Sequence, residues 1–134
     1  MPHLLHVWPS VLKRLKEAEQ VLLLSDYDGT LTPIAAQPDL AVLGQVPRDT
    51  LLSLSQRDKF IVGIISGRSL PDVSAMAGLP DLVYAGNHGL EISGPGLDFV
   101  HPEAEAFGKT LVLLVQDLQR ELSSLPGVLV EDKG

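Results

Sequence analysis

The chain contains no cysteine. Disulfides, thiol catalysis and zinc–thiolate sites are excluded with it. Positive charge is also scarce: ten Lys and Arg face seventeen Asp and Glu, for a formal net charge of −7. The basic residues are scattered, so neither a nucleic-acid backbone nor an anionic membrane surface is an expected partner. Long apolar runs are missing too. Leu111–Val115 is far too short to span a bilayer. Residues 1–10 lack a basic region followed by a long apolar stretch, so no secretory signal is read there and a cytoplasmic location is expected.

What remains is the balance of a globular protein, with 45% apolar and 20% charged residues over 134 positions. That length suits one domain or part of one. Helical and strand signals alternate. Ser10 reads as the cap of a short helix bearing Val11, Leu12 and Leu15. Val21–Leu24 reads as a buried strand and Phe60–Ile65 as a second, rich in β-branched residues. Leu82–Ala85 reads as a third. Between them, the loop from Thr32 to about Pro47 precedes a helix over Arg48–Gln56. Ser69, Pro71 and Asp72 mark the start of another helix, and Gly78 its stop.

From Leu90 the character changes. Gly94-Pro95-Gly96 between short apolar pieces predicts a hairpin. Pro102 and Glu103 open a longer helix whose Phe107, Leu111, Leu114, Val115, Leu118 and Leu122 share one face. Pro126-Gly127 breaks it, and Val128–Val130 reads as a further strand. The fold class expected is α/β: a doubly wound parallel sheet over residues 1–89, with an appended α+β module beginning over 90–134.

Parallel sheets place their ligands beyond the carboxyl ends of the strands. Three polar, glycine-bearing turns stand there: Asp26-Tyr27-Asp28-Gly29-Thr30, Ser66-Gly67-Arg68 and Gly86-Asn87-His88-Gly89. Two carboxylates two residues apart suit a divalent cation or a shared proton. A carboxylate can also attack phosphorus while a second manages protons. The Ser66-Gly67 turn can bind an anion or simply cap the next helix. Arg68 can touch substrate or structure. Asn87 and His88 can orient a substrate or satisfy backbone groups in a tight turn. His88, without Cys or His partners, is a poor metal ligand.

VLLLSDYDGTL, over residues 21–31, resembles the first motif of the haloacid dehalogenase-like hydrolases. The resemblance implies that Asp26 is the nucleophile and Asp28 the general acid/base. It implies Mg2+ held by the Asp26 carboxylate and the Asp28 backbone carbonyl, with Tyr27 as a packing residue. Ser66 matches the second motif, where its hydroxyl and the Gly67 amide hold the transferring phosphoryl group. DYDGTL, IISGRS, AGNHGLEI and the closing GVLVEDKG, in that order, resemble the trehalose-6-phosphate phosphatases more narrowly. That resemblance makes residues 90–134 the start of a cap domain. Glu131 and Lys133 fall where that family grips sugar hydroxyls.

Phosphatases for sucrose phosphate or mannosyl-phosphoglycerate share the first two motifs, and a non-catalytic sugar-phosphate-binding module is the alternative outside catalysis. A trehalose-phosphate synthase acting upstream is the protein partner the resemblance suggests. The family's later Lys and its Gly-Asp-Asp-like turn are not in this sequence. The expectation is therefore an N-terminal fragment that is inactive, or nearly so, by itself.

Overall fold

The structure, a computed structural model, describes residues 3–130, apart from the side chain of Lys109. A first helix, α1 (Trp8–Glu17), precedes β1 (Val21–Asp26). Then follow α2 (Gln45–Ser55), β2 (Phe60–Ile65), α3 (Leu70–Ala77) and β3 (Val83–Gly86). A hairpin, β4 (Glu91–Gly94) and β5 (Leu97–Val100), leads to α4 (Pro102–Leu122). The five strands form one sheet in the order β1-β2-β3-β4-β5. The first three are parallel, and the hairpin continues the same sheet antiparallel to β3.

The expected α/β class is what forms. Strands β1 to β3 lie in sequence order, so right-handed crossovers bring α2 and α3 to one face. The core lies there: Val62, Ile64 and Tyr84 on the strands pack with Leu51, Val73 and Ala77 on the helices. On the other face, which a doubly wound sheet also covers, Leu22, Leu24, Ile61 and Ile65 are 37–60% exposed.

Local signals explain most element ends. The Ser69 hydroxyl accepts the Asp72 amide at 3.2 Å, capping α3, and Gly78 ends it in the left-handed region at φ 56°. Four expectations change. Val21–Leu24 forms β1 but is not buried, since β1 is the edge strand and Leu22, Leu23 and Leu24 are 60%, 37% and 47% exposed. Ser10 lies inside α1 rather than capping it; its hydroxyl donates to the Val7 carbonyl at 2.7 Å, and Pro9 occupies the first turn. Helix α2 begins at Gln45, not Arg48, because Pro47 fits a first turn where amide hydrogens need no partner. Val128–Val130 forms no strand: among the described residues no strand lies beside it to complete a ladder.

Candidate active site

Asp26 is the last residue of β1, opposite Ile65, and Ile65 is opposite Ala85 on β3. The three turns therefore leave the sheet side by side, at the carboxyl ends of parallel neighbours. In the first, Tyr27 is fully buried, and its hydroxyl donates to the Ala41 carbonyl at 3.0 Å. Burial pushes that hydroxyl's pKa above its ordinary value, partly opposed by the nearby Arg68 guanidinium. The amides of Leu31 and Thr32 both donate to the Tyr27 carbonyl, and Gly29 supplies the bend at φ 81°. The buried tyrosine thus pins the loop, while Asp26 and Asp28 on either side of it remain exposed. The Thr30 hydroxyl donates to Asp26 Oδ2 at 3.2 Å.

Ser66 is 4% exposed. Its amide donates to the Ala85 carbonyl at 2.9 Å, and its hydroxyl accepts the Arg68 amide at 3.1 Å. The third turn is bonded onto the second. The His88 amide donates to the Ser66 carbonyl at 3.0 Å, and the Asn87 amide to the Arg68 carbonyl at 2.7 Å. Asn87 and His88 both hold left-handed backbone, at φ 49° and 58°. Such conformations cost about 1–3 kcal/mol each and survive where surrounding bonds impose them. The Asn87 side-chain amide donates to Glu91 at 3.1 Å.

Arg68 reaches back to the first turn. Its Nε and Nη2 donate to the two Asp28 carboxylate oxygens at 2.8 and 2.7 Å, and Nη2 also donates to the Pro38 carbonyl at 2.7 Å. The guanidinium carbon lies 5.7 Å from the centre of the Tyr27 ring. A cleft of about 420 Å³ opens here, lined by Asp28, Gly67, Arg68 and residues 34–38. Asp26 is outside that lining.

The structure thus brings Asp26, Asp28, Ser66, Gly67, Arg68, Asn87 and His88 to one edge of the sheet. Glu131 and Lys133 lie outside the described residues. Sequence reading missed the Glu91 partner of Asn87 and the 34–38 wall, since neither carries a motif. Glycine at position 67 was the signal for the third contact it missed: a Cβ there would come within 2.5 Å of His88 Cε1.

The donors suit a magnesium ion only in part. Among the described residues no cluster of three or more His, Cys, Asp or Glu could hold a metal. Asp26 offers an exposed carboxylate and Asp28 a backbone carbonyl, while the Asp28 carboxylate is taken by Arg68. One or two protein ligands, completed by water and substrate phosphate, is a usual magnesium arrangement.

Fold and site together define an α/β protein with a carboxylate turn after the first strand and a Ser-Gly turn after the second. The profile of the trehalose-phosphatase family matches residues 24–134, and the chain belongs to that family. A trehalose-phosphate phosphatase of Mycobacterium tuberculosis is 37% identical over 87% of this chain and 29% of its own. A probable trehalose-phosphate phosphatase E of Arabidopsis thaliana is 31% identical over 98% of this chain and 39% of its own. The C-terminal domain of trehalose-6-phosphate phosphatase from C. albicans superposes with a TM-score of 0.75 at 30% identity, over 93% of this chain and 43% of that one. The chain thus spans under half the length of each. No helix among the described residues is long and apolar enough to cross a membrane.

Proposed function

We propose that a protein carrying this chain hydrolyses trehalose 6-phosphate to trehalose and inorganic phosphate by way of a phospho-aspartate at Asp26. A carboxylate oxygen of Asp26 attacks phosphorus, the bond from phosphorus to the sugar oxygen breaks, and Asp28, carrying a proton on the one oxygen it withdraws from the Arg68 fork, gives that proton to the sugar oxygen. Water then attacks the phospho-aspartate and gives a proton back to Asp28, which frees phosphate and restores Asp26. The Ser66 hydroxyl and Gly67 amide hold the phosphoryl oxygens as charge develops on them. Asn87 and His88, fixed onto the Ser66-Gly67-Arg68 turn, face the leaving sugar. Mg2+, held by the Asp26 carboxylate and Asp28 carbonyl, supplies neutralising charge to the phosphate when bound.

The observation that carries this reading is the register of β1 against β2. It sets exposed Asp26 beside the residue that precedes Ser66. In the same reading residues 1–89 are the front of the catalytic core and residues 90–134 open the cap, where Glu131 and Lys133 hold sugar hydroxyls. The protein works in the cytoplasm, downstream of a trehalose-phosphate synthase.

The test compares phosphate release from trehalose 6-phosphate, sucrose 6-phosphate and mannosyl-phosphoglycerate with Mg2+ present. Preference for the first is expected. Preference for either of the others reassigns the substrate, and binding of all three without turnover points to a regulatory module.

A further inference from the structure

Arg68 joins its own turn to two points of the chain forty and thirty residues earlier. It stands after β2, in the Ser66-Gly67-Arg68 turn. Its fork closes on both carboxylate oxygens of Asp28, forty residues earlier, at 2.8 and 2.7 Å. The same Nη2 takes the Pro38 carbonyl at 2.7 Å. The pairing is not a loose surface contact. The Arg68 side chain is only 14% exposed, that of Asp28 43%, and the guanidinium rests over the buried Tyr27 ring at 5.7 Å. A planar bidentate fork fixes a carboxylate in angle as well as position, which a lysine cannot do.

Pro38 belongs to the wall of the cleft, with Ile34, Ala35, Ala36 and Gln37. Ala35 packs against the core, and the rest of that segment is more loosely held. It contains one short 3-10 turn over Pro38–Leu40, and Ile34 is 89% exposed. We propose that Arg68 is a positioning residue that sets the Asp28 carboxylate and the 34–38 wall of the cleft as one unit, and that it does not itself hold the phosphate ester. The catalytic meaning of that unit rests on the function proposed above: Asp28 can serve the leaving oxygen only from a defined place.

The physical unit is tested without turnover. Thermolysin cleavage near Ile34 is timed in the wild type, Arg68→Ala, Asp28→Ala and the double variant. Cleavage about tenfold faster in Arg68→Ala, and no faster again in the double variant, is expected. Unchanged cleavage in Arg68→Ala, or effects that multiply in the double variant, overturns the proposal. Inorganic phosphate binding, by calorimetry with Mg2+, separates the two roles of an arginine. Arg68→Ala should bind phosphate within about twofold of wild type. A tenfold loss restored by Arg68→Lys makes Arg68 a phosphate ligand and overturns the proposal.

With an active protein, Arg68→Ala should slow turnover of a sugar phosphate far more than that of p-nitrophenyl phosphate, whose leaving group needs no proton. Equal slowing of both overturns it as well. Absence of phosphate binding in the wild type would count against the proposed function, while the proteolysis coupling would still decide the role of Arg68.

Discussion

Gly67 lies beneath the imidazole of His88, so close that a Cβ at position 67 would sit 2.5 Å from Cε1 and 2.8 Å from Nε2 of that ring. The ring is the far end of an exposed side chain and can swing aside. Gly67→Ala is therefore expected to change stability by no more than about 0.5 kcal/mol. It should nevertheless move the His88 ring resonances in an NMR spectrum. A loss of several kcal/mol would show that the ring is wedged rather than free to turn.

Gly86 presents the opposite case. A Cβ there meets backbone atoms of Leu70, at the start of α3, which cannot swing away. Gly86→Ala should lower stability by about 1–3 kcal/mol, the usual cost of overpacking. Urea unfolding checks this: the midpoint falls while the slope stays the same.

The cap of α3 is a single hydroxyl. Ser69 accepts the Asp72 amide at 3.2 Å and donates to the Asp72 carboxylate at 2.6 Å. Ser69→Ala should cost about 1 kcal/mol. Ser69→Asp, which keeps an acceptor but sets it against the Asp72 charge, should recover less than Ser69→Thr. Thermal unfolding of the three variants checks the order.

Alkaline pH should loosen the core. Burial raises the pKa of the Tyr84 hydroxyl and of the Tyr27 hydroxyl above the ordinary value of 10.0. In the folded chain these groups keep their protons where the unfolded chain has lost them. Their contribution to stability is complete below pH 10 and disappears as pH rises through the raised values. Melting temperature should thus be flat near neutrality and fall from about pH 10 upward. Tyr84→Phe should flatten that fall. At pH 7 it should cost about 1 kcal/mol, since it removes the bonds of the hydroxyl with the Leu79 carbonyl and amide.

Much of this arrangement was legible in the residues. Phe60–Ile65 forms β2 with the expected bounds, because a run of β-branched residues flanked by polar turns has little other use in a folded chain. The hairpin at Gly94-Pro95-Gly96 formed where its turn residues allow it, with Gly96 at φ 70°. Strand register then carried Asp26, Ser66 and Asn87 to one edge. What the residues did not show was which side chains hold each other there. The grip of Arg68 on Asp28 spans forty positions, with the guanidinium resting over the Tyr27 ring, a tertiary fact with no local signature. Helix α2 begins ahead of the expected Arg48 because Pro47, as often a loop residue, serves here in the first turn. The expected strand at Val128–Val130 needed a neighbour, and sequence periodicity says nothing of neighbours.

The most direct test follows the phosphorus atom. A polypeptide that turns over trehalose 6-phosphate and carries these residues is mixed with the labelled ester and Mg2+, quenched in acid within one turnover, and digested for mass spectrometry. The label should sit on the peptide containing Asp26, and Asp26→Asn should abolish both label and phosphate release. Label on any other residue, or undiminished release from the asparagine variant, would contradict the account.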